Sequence, residues 1–143
     1  MQLNQVMTRD VEVLRPEASV REAAQRMREL DVGMFPICDG ERLVGTITDR
    51  DIAIRATAEG CDADHTPVEQ VMTRQVDYCF EDQETEDAVD LMNANQIRRL
   101  PILNRDKRLV GIVSLGDLAT RAEDPILSAE ALQGISEPAK PAR

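Results

Sequence analysis

The sequence predicts an α/β (α+β) protein built as two copies of a strand–helix–strand–strand–helix unit related by an approximate two-fold axis. Three observations carry that expectation. "VMTR" at Val6–Arg9 recurs at Val71–Arg74, and "FPI" at Phe35–Ile37 recurs as "LPI" at Leu100–Ile102, each 65 residues later. "VGTITDRDIAIRA" (Val44–Ala56) recurs as "VGIVSLGDLATRA" (Val110–Ala122), now 66 later. The added residue falls where "CDGE" becomes "LNRDK", a polar turn in which an insertion is tolerated. Repeats at this period organise a fold before any local signal does. A copy of about 60 residues buries too little surface to stand alone, so the copies are expected to pack together over a shared cleft.

Each element has its own warrant. "SVRE" (Ser19–Glu22) is a capping box, with Ser19 at the N-cap and Glu22 reaching back. Val20, Ala23, Ala24, Met27 and Leu30 then recur at helical spacing, and copy two repeats the face with Thr85, Ala88, Val89 and Met92. "MFPICDGERLVGTI" is two apolar runs around Asp39-Gly40, the signature of a hairpin. Pro36 and Pro101 stand inside strands, which must be at an edge or irregular there. A helix starts near Asp49 and stops at Gly60. "TPVEQVMT" sets Thr66 at a cap, Pro67 at the first helical position and Glu69 at the third, a short helix leading into copy two. The expected domains are 5–62 and 70–126, with a C-terminal helix or tail over 127–143 whose end is disordered.

Composition narrows the function. With 27 acidic against 17 basic residues the net charge is −10, which argues against nucleic acid and anionic membrane as partners. No apolar run is long enough to span a bilayer and no signal-peptide pattern precedes "VMTR", so a cytoplasmic location is expected. Three cysteines, none in a CxxC, suggest reduced thiols. Met7, Met27, Met72 and Met92 recur at repeat spacing and read as core filler. "CDADH" (Cys61–His65) is a thin metal lead in a polar loop with no second cluster to complete it. His65 is the only histidine, and no residue set resembles an active site.

The repeated "TDRD" and "SLGD" carry the chemistry. Thr48 with Asp51, and Ser114 with Asp117, match the capping box that starts a helix, worth about 0.5–2 kcal/mol each. The same corner can also hold a ligand. A helix N-terminus favours phosphate, a hydroxyl adds a hydrogen bond, and a carboxylate one turn on suits a ribose diol. Two such corners in register, each after a Pro-containing hairpin, strengthen the ligand reading. The copies differ where charge matters: Arg50 precedes one aspartate and Gly116 the other, while Arg98 precedes "LPI" where copy one has Gly33. One guanidinium per cleft suits phosphate recognition, and a di- or triphosphate would draw on both Arg50 and Arg98.

Taken together, "VMT" twice, "FPI/LPI", "RLVGTIT/RLVGIVS" and the aspartates of "DRD" and "LGD" resemble a tandem pair of cystathionine β-synthase (CBS) domains, a Bateman module, over Gln5 to Glu123. The resemblance implies β-α-β-β-α units packed through their sheets, a homodimer, and adenosine nucleotides (AMP, ADP or ATP) bound in the clefts between repeats as regulatory ligands, with no cofactor required. It implies that Asp51 and Asp117 bind ribose and that Thr48 and Ser114 contact phosphate or ribose. Apolar residues flanking Pro36 and Pro101 would sandwich adenine. The expected function is non-catalytic: a stand-alone bacterial-type module signalling to a dimer state or a separate regulated protein. The alternatives are a ligand-free dimerisation scaffold, or binding of S-adenosylmethionine or nucleic acid.

Overall fold

The computed structural model describes residues 1–121, so the expected boundary at 126 and the tail over 127–143 lie outside the described residues. It contains mixed helices and strands arranged around two small sheets, the class expected from the repeat. The chain divides into two compact units, Glu12–Val76 and Met1–Val11 joined by the chain from Asp77 onward. These are not cut where the sequence repeats are. The "VMT" of each copy belongs to the unit carrying the other copy's hairpin, so residues 5–11 leave the first repeat and 63–76 join it.

In the Glu12–Val76 unit, helix α1 (Val20–Leu30) opens on Ser19, whose Oγ accepts the Glu22 N–H at 3.0 Å. The returning bond from Glu22 is not made. The N–H groups of Val20 and Arg21 go to the carbonyls of Thr66 and Ala63, at 2.9 and 3.0 Å, so the 63–66 loop also caps the helix. Val20, Ala23 and Met27 are buried, whereas Ala24 and Leu30, expected on the same face, are exposed. The narrower i, i+3, i+7 stripe suffices for the contact, and the helix ends directly after Leu30 with Asp31 in the left-handed region.

Strands β1 (Met34–Asp39) and β2 (Arg42–Thr48) pair antiparallel through a Gly40-Glu41 connection, one residue later than the sequence suggested. Only Gly40 of that pair has positive φ, at 63°, the requirement of a type II′ turn. Pro36 lies just before a register shift at Ile37/Cys38, the local irregularity its missing N–H predicts. Beyond β1 the expected first strand shrinks to one bridging residue, Leu14 opposite Ile37. The next ladder donor would be residue 16, which is a proline. On the other edge Thr73 bridges Thr46, with Thr46 N–H to Thr73 O at 3.0 Å and Thr73 N–H to Thr46 O at 2.8 Å.

After β2 comes one α-turn, α2 (Asp49–Asp51), which continues as a wider i→i+5 winding over Ile52–Thr57. Gly60, at φ 75°, ends it as expected. The predicted helix at "TPVEQ" is a single 3₁₀ turn, Val68–Gln70, capped by Pro67 rather than Thr66. Thr66 is buried, gives its N–H to the Asp62 carbonyl and accepts the Val20 N–H on its own carbonyl. The core gathers Leu14, Val20, Ala23, Phe35, Ile37, Ile47 and Met72.

The second unit repeats the plan. β3 (Cys79–Phe80) pairs parallel to β4 (Arg99–Leu103), which pairs antiparallel to β5 (Leu109–Ser114). Here β3 is a true strand because Glu81, standing where copy one has Pro16, donates its N–H to Leu103 O at 2.8 Å. Helix α3 (Thr85–Asn95) buries Thr85, Ala88, Val89 and Met92, the face the spacing named. The longer connection is held by Asn104, whose Oδ1 accepts from the N–H groups of Asp106 and Arg108, both at 3.0 Å. Pro101 again precedes a register shift, and Thr8 bridges Ile112 as Thr73 bridges Thr46. Helix α4 (Leu115–Arg121) follows β5 directly.

Candidate functional site

In both units the second hairpin strand runs straight into a helix, and the repeated hydroxyl–carboxylate pair sits at that corner. Thr48 N–H donates to Asp51 Oδ2 at 3.0 Å, and Asp51 N–H to Thr48 Oγ1 at 3.0 Å. Ser114 N–H donates to Asp117 Oδ2 at 2.9 Å, and Asp117 N–H to Ser114 Oγ at 3.0 Å. The plain reading of the motif is therefore realised in full: both pairs are reciprocal capping boxes. They hold each carboxylate by one oxygen only. Oδ2 is engaged by the cap, while Oδ1 keeps acceptor capacity, and each side-chain hydroxyl keeps its hydrogen to donate.

The carboxylates are nearly enclosed, with side-chain exposures of 11% for Asp51 and 14% for Asp117. A cation faces each one from the next helical turn. Arg55 Nε stands 3.8 Å from Asp51 Oδ1, and Arg121 Nη1 stands 3.8 Å from Asp117 Oδ1. Thr73 Oγ1 lies 3.4 Å from both Asp51 oxygens, a contact that Thr8 has no counterpart for among the described bonds. The sequence reading passed over Arg55, Arg121 and Thr73. The signal was present, since the arginine closes the repeated segment and the threonine belongs to "VMT".

The other named residues fall on the same corners. The N–H that opens each helix goes to the residue before the first hairpin strand: Asp49 to Gly33 O at 3.0 Å, Leu115 to Arg98 O at 2.9 Å. The Arg98 backbone thus adjoins the α4 corner, and its side chain is exposed. Arg50 is exposed as well, its N–H turned to Asp49 Oδ1 at 2.9 Å. A Cβ on Gly116 would meet only Ser114 Oγ at 3.6 Å, so nothing steric demands glycine there. Pro36 and Pro101 are buried in their strands.

"CDADH" is a capping loop. Among the described residues no group of three or more His, Cys, Asp and Glu side chains is placed to hold a metal ion. His65 Nδ1 and Asp62 Oδ2 stand 2.7 Å apart, and Arg21 reaches Asp64 at 3.1 Å. The hydrogen bond to Asp62 raises the His65 pKa above its ordinary 6.5, and the bond to His65 lowers that of Asp62 below 3.8. The sign follows for each group. His65 contributes stability below its unfolded pKa and loses it as pH rises through the raised value; Asp62 contributes above its unfolded pKa and loses it as pH falls through the lowered one. NMR titration should find His65 above 6.5 in the wild type, returning toward 6.5 in Asp62→Asn. An unchanged midpoint would show that the pair does not form in solution. Burial pushes the Cys38 and Cys79 thiols up to about 11, which makes them packing groups and not nucleophiles.

Comparison with known proteins gives these corners a context. The CBS domain family model matches residues 3–56 and 68–124. The chain is 42% identical over 130 residues to the CBS domain-containing protein YhcV of Bacillus subtilis, covering 91% of each. It superposes on the crystal structure of Hypoxic Response Protein I, which has two coordinated zinc ions, with a TM-score of 0.77, 33% identity, and 83% and 97% of the two chains covered. It also superposes on the CBS domain pair of protein MJ0100 in complex with 5′-methylthioadenosine and S-adenosyl-L-methionine. There the TM-score is 0.73 at 28% identity, covering 83% of this chain and 97% of that one.

Proposed function

The chain belongs to the CBS-domain family, and from that premise we propose that it is a non-catalytic regulatory module whose strand-to-helix corners bind adenosine-containing ligands. One observation carries the reading. Both units present the same hydroxyl and carboxylate in the same geometry, with Oδ2 used by the cap and Oδ1 left as an acceptor. A ribose diol needs such an acceptor, and a helix N-terminus with a hydroxyl beside it suits a phosphate or other anionic group. The MJ0100 pair carries adenosine compounds on a similar fold, which supports the ligand class.

Within that class we place AMP, ADP and ATP first. Arg50 at one corner and Arg98 at the other supply exposed guanidinium groups that a phosphate chain would engage and a neutral adenosyl group would not. Asp51 and Asp117 hold ribose, Thr48 and Ser114 the phosphate or ribose, and the apolar residues flanking Pro36 and Pro101 the adenine. Gly116 leaves the second corner uncovered. Ligand binding regulates only through unequal affinity for two states, here two states of a homodimer or of a complex with a separate protein.

Thermal unfolding against AMP, ADP, ATP, 5′-methylthioadenosine and S-adenosylmethionine tests the reading. A true ligand at about 100 times its Kd stabilises the protein by roughly 2.7 kcal/mol. Asp51→Ala and Asp117→Ala each remove one site's share of that gain. Arg50→Ala and Arg98→Ala weaken only phosphate-bearing ligands. If no adenosine compound shifts the transition at millimolar concentration, the scaffold reading replaces this one. That second reading has its own support, since both aspartates already have structural work as caps.

A further inference from the structure

The repeated segment ends on an arginine in each copy, Arg55 and Arg121, that the capping boxes do not use. In each unit this guanidinium reaches a "VMT" carbonyl and the same carboxylate oxygen, though through different nitrogens and a carbonyl one position apart in the repeat. Arg55 Nη1 donates to Met72 O at 3.1 Å while its Nε stands 3.8 Å from Asp51 Oδ1. Arg121 Nη1 donates to Val6 O at 3.3 Å and stands 3.8 Å from Asp117 Oδ1. The carbonyl in both cases belongs to the "VMT" segment bridged to the hairpin edge. Each arginine is thus pinned at its far end by backbone, and its charge is held beside the one carboxylate oxygen that the cap does not engage.

The contacts themselves add little to stability. The arginine side chains are 53% and 51% exposed, and an exposed pair at this separation is largely screened. Their recurrence at the same atom in both units therefore points to the carboxylate. We infer that Arg55 and Arg121 are positioning residues for the ligand carboxylates, fixing the rotation of Asp51 and Asp117 so that Oδ1 meets the ribose hydroxyls. This role rests on the adenosine-ligand reading. An acceptor held in place before binding spares the ligand the entropy of ordering it, and the effect falls on affinity and not on folding. The first corner has a further tie, since Thr73 Oγ1 lies 3.4 Å from both oxygens of Asp51.

Calorimetric titration with S-adenosylmethionine and with AMP tests the role in the full chain. The Arg55 series is measured with Asp117→Ala, and the Arg121 series with Asp51→Ala, so that one site remains. Arg55→Ala and Arg55→Gln should weaken binding about tenfold or more, while Arg55→Lys stays within about threefold of the parent. The thermal midpoint without ligand should hold within about 2 °C in all three. Glutamine is the decisive variant, because its amide sits at the level of the Arg55 Nε, beside Asp51 Oδ1, but carries no charge. If glutamine restores affinity as well as lysine does, the charge beside Asp51 is not needed and the inference fails; if the alanine variant loses midpoint and not affinity, Arg55 merely fastens backbone and the inference fails as well. If the alanine variant binds like its parent, the inference fails while the ligand reading stands. If the wild type binds neither compound nor any other adenosine ligand, both fall together.

Discussion

Gly45→Ala and Gly111→Ala will each destabilise the protein by about 2–4 kcal/mol, read as a fall in urea midpoint at unchanged slope. A Cβ on Gly45 would stand 2.6 Å from Met72 Sδ and 2.8 Å from Thr73 O; on Gly111, 2.7 Å from Met7 Sδ and 2.8 Å from Thr8 O. The sulfur sits on a flexible chain and can yield. The carbonyl cannot, because it accepts the N–H of the next strand residue, Thr46 or Ile112, at 3.0 or 2.9 Å. The "VMT" segment must lift off the sheet edge, losing its paired backbone bonds and the burial of its methionine. Gly116→Ala is the internal control. With only an ordinary contact at 3.6 Å, it should be neutral or slightly stabilising through helix propensity. Equal losses at all three positions would show that backbone freedom, and not close approach, explains Gly45 and Gly111.

Phe35→Ala will cost about 3–5 kcal/mol by the same measurement. Phe35 is 2% exposed in a core otherwise made of aliphatic, alanine and methionine side chains, and Arg26 lies over its ring at 5.3 Å. Truncation opens a large cavity that neighbours on α1 and β2 cannot close without moving backbone. Phe80 is the contrast. It is half-buried, with Arg105 over its ring at 4.2 Å and Tyr78 edge-on at 5.5 Å. Its removal should cost clearly less, because little enclosed volume is vacated. A Phe80→Ala loss as large as that of Phe35→Ala would overturn the argument that burial sets the difference.

Much of the local structure was readable from residue pattern because each signal acts within a few residues. The "TDRD" and "SLGD" caps, the α3 face and the Gly60 stop formed as their short-range chemistry required. Where the pattern misled, groups from elsewhere in the chain meet the same segment. At α1 the Glu22 return bond to Ser19 is not made, and carbonyls from the 63–66 loop accept the Val20 and Arg21 N–H groups. Thr66 stands one residue ahead of the 3₁₀ turn's cap, with its backbone closing that same loop. The Pro16 effect was local but silent, since a missing N–H matters only once its acceptor strand is known.

What the sequence determined by itself is the repeat, the two hairpins, the α1 and α3 helices, the α3 core face and the paired hydroxyl–carboxylate corners, all of which follow from spacing along one stretch of chain. Only the tertiary structure decided which "VMT" closes which hairpin. Val6-Met7-Thr8 and Val71-Met72-Thr73 are the same three residues, and the niches at Gly45 and Gly111 present the same contacts, so local chemistry fits either pairing. The structure takes the exchanged one, setting Met7 beneath Gly111 and Met72 beneath Gly45. That exchange also brings Arg55 to Met72 and Arg121 to Val6, contacts between residues 17 and 115 positions apart that no periodicity can announce.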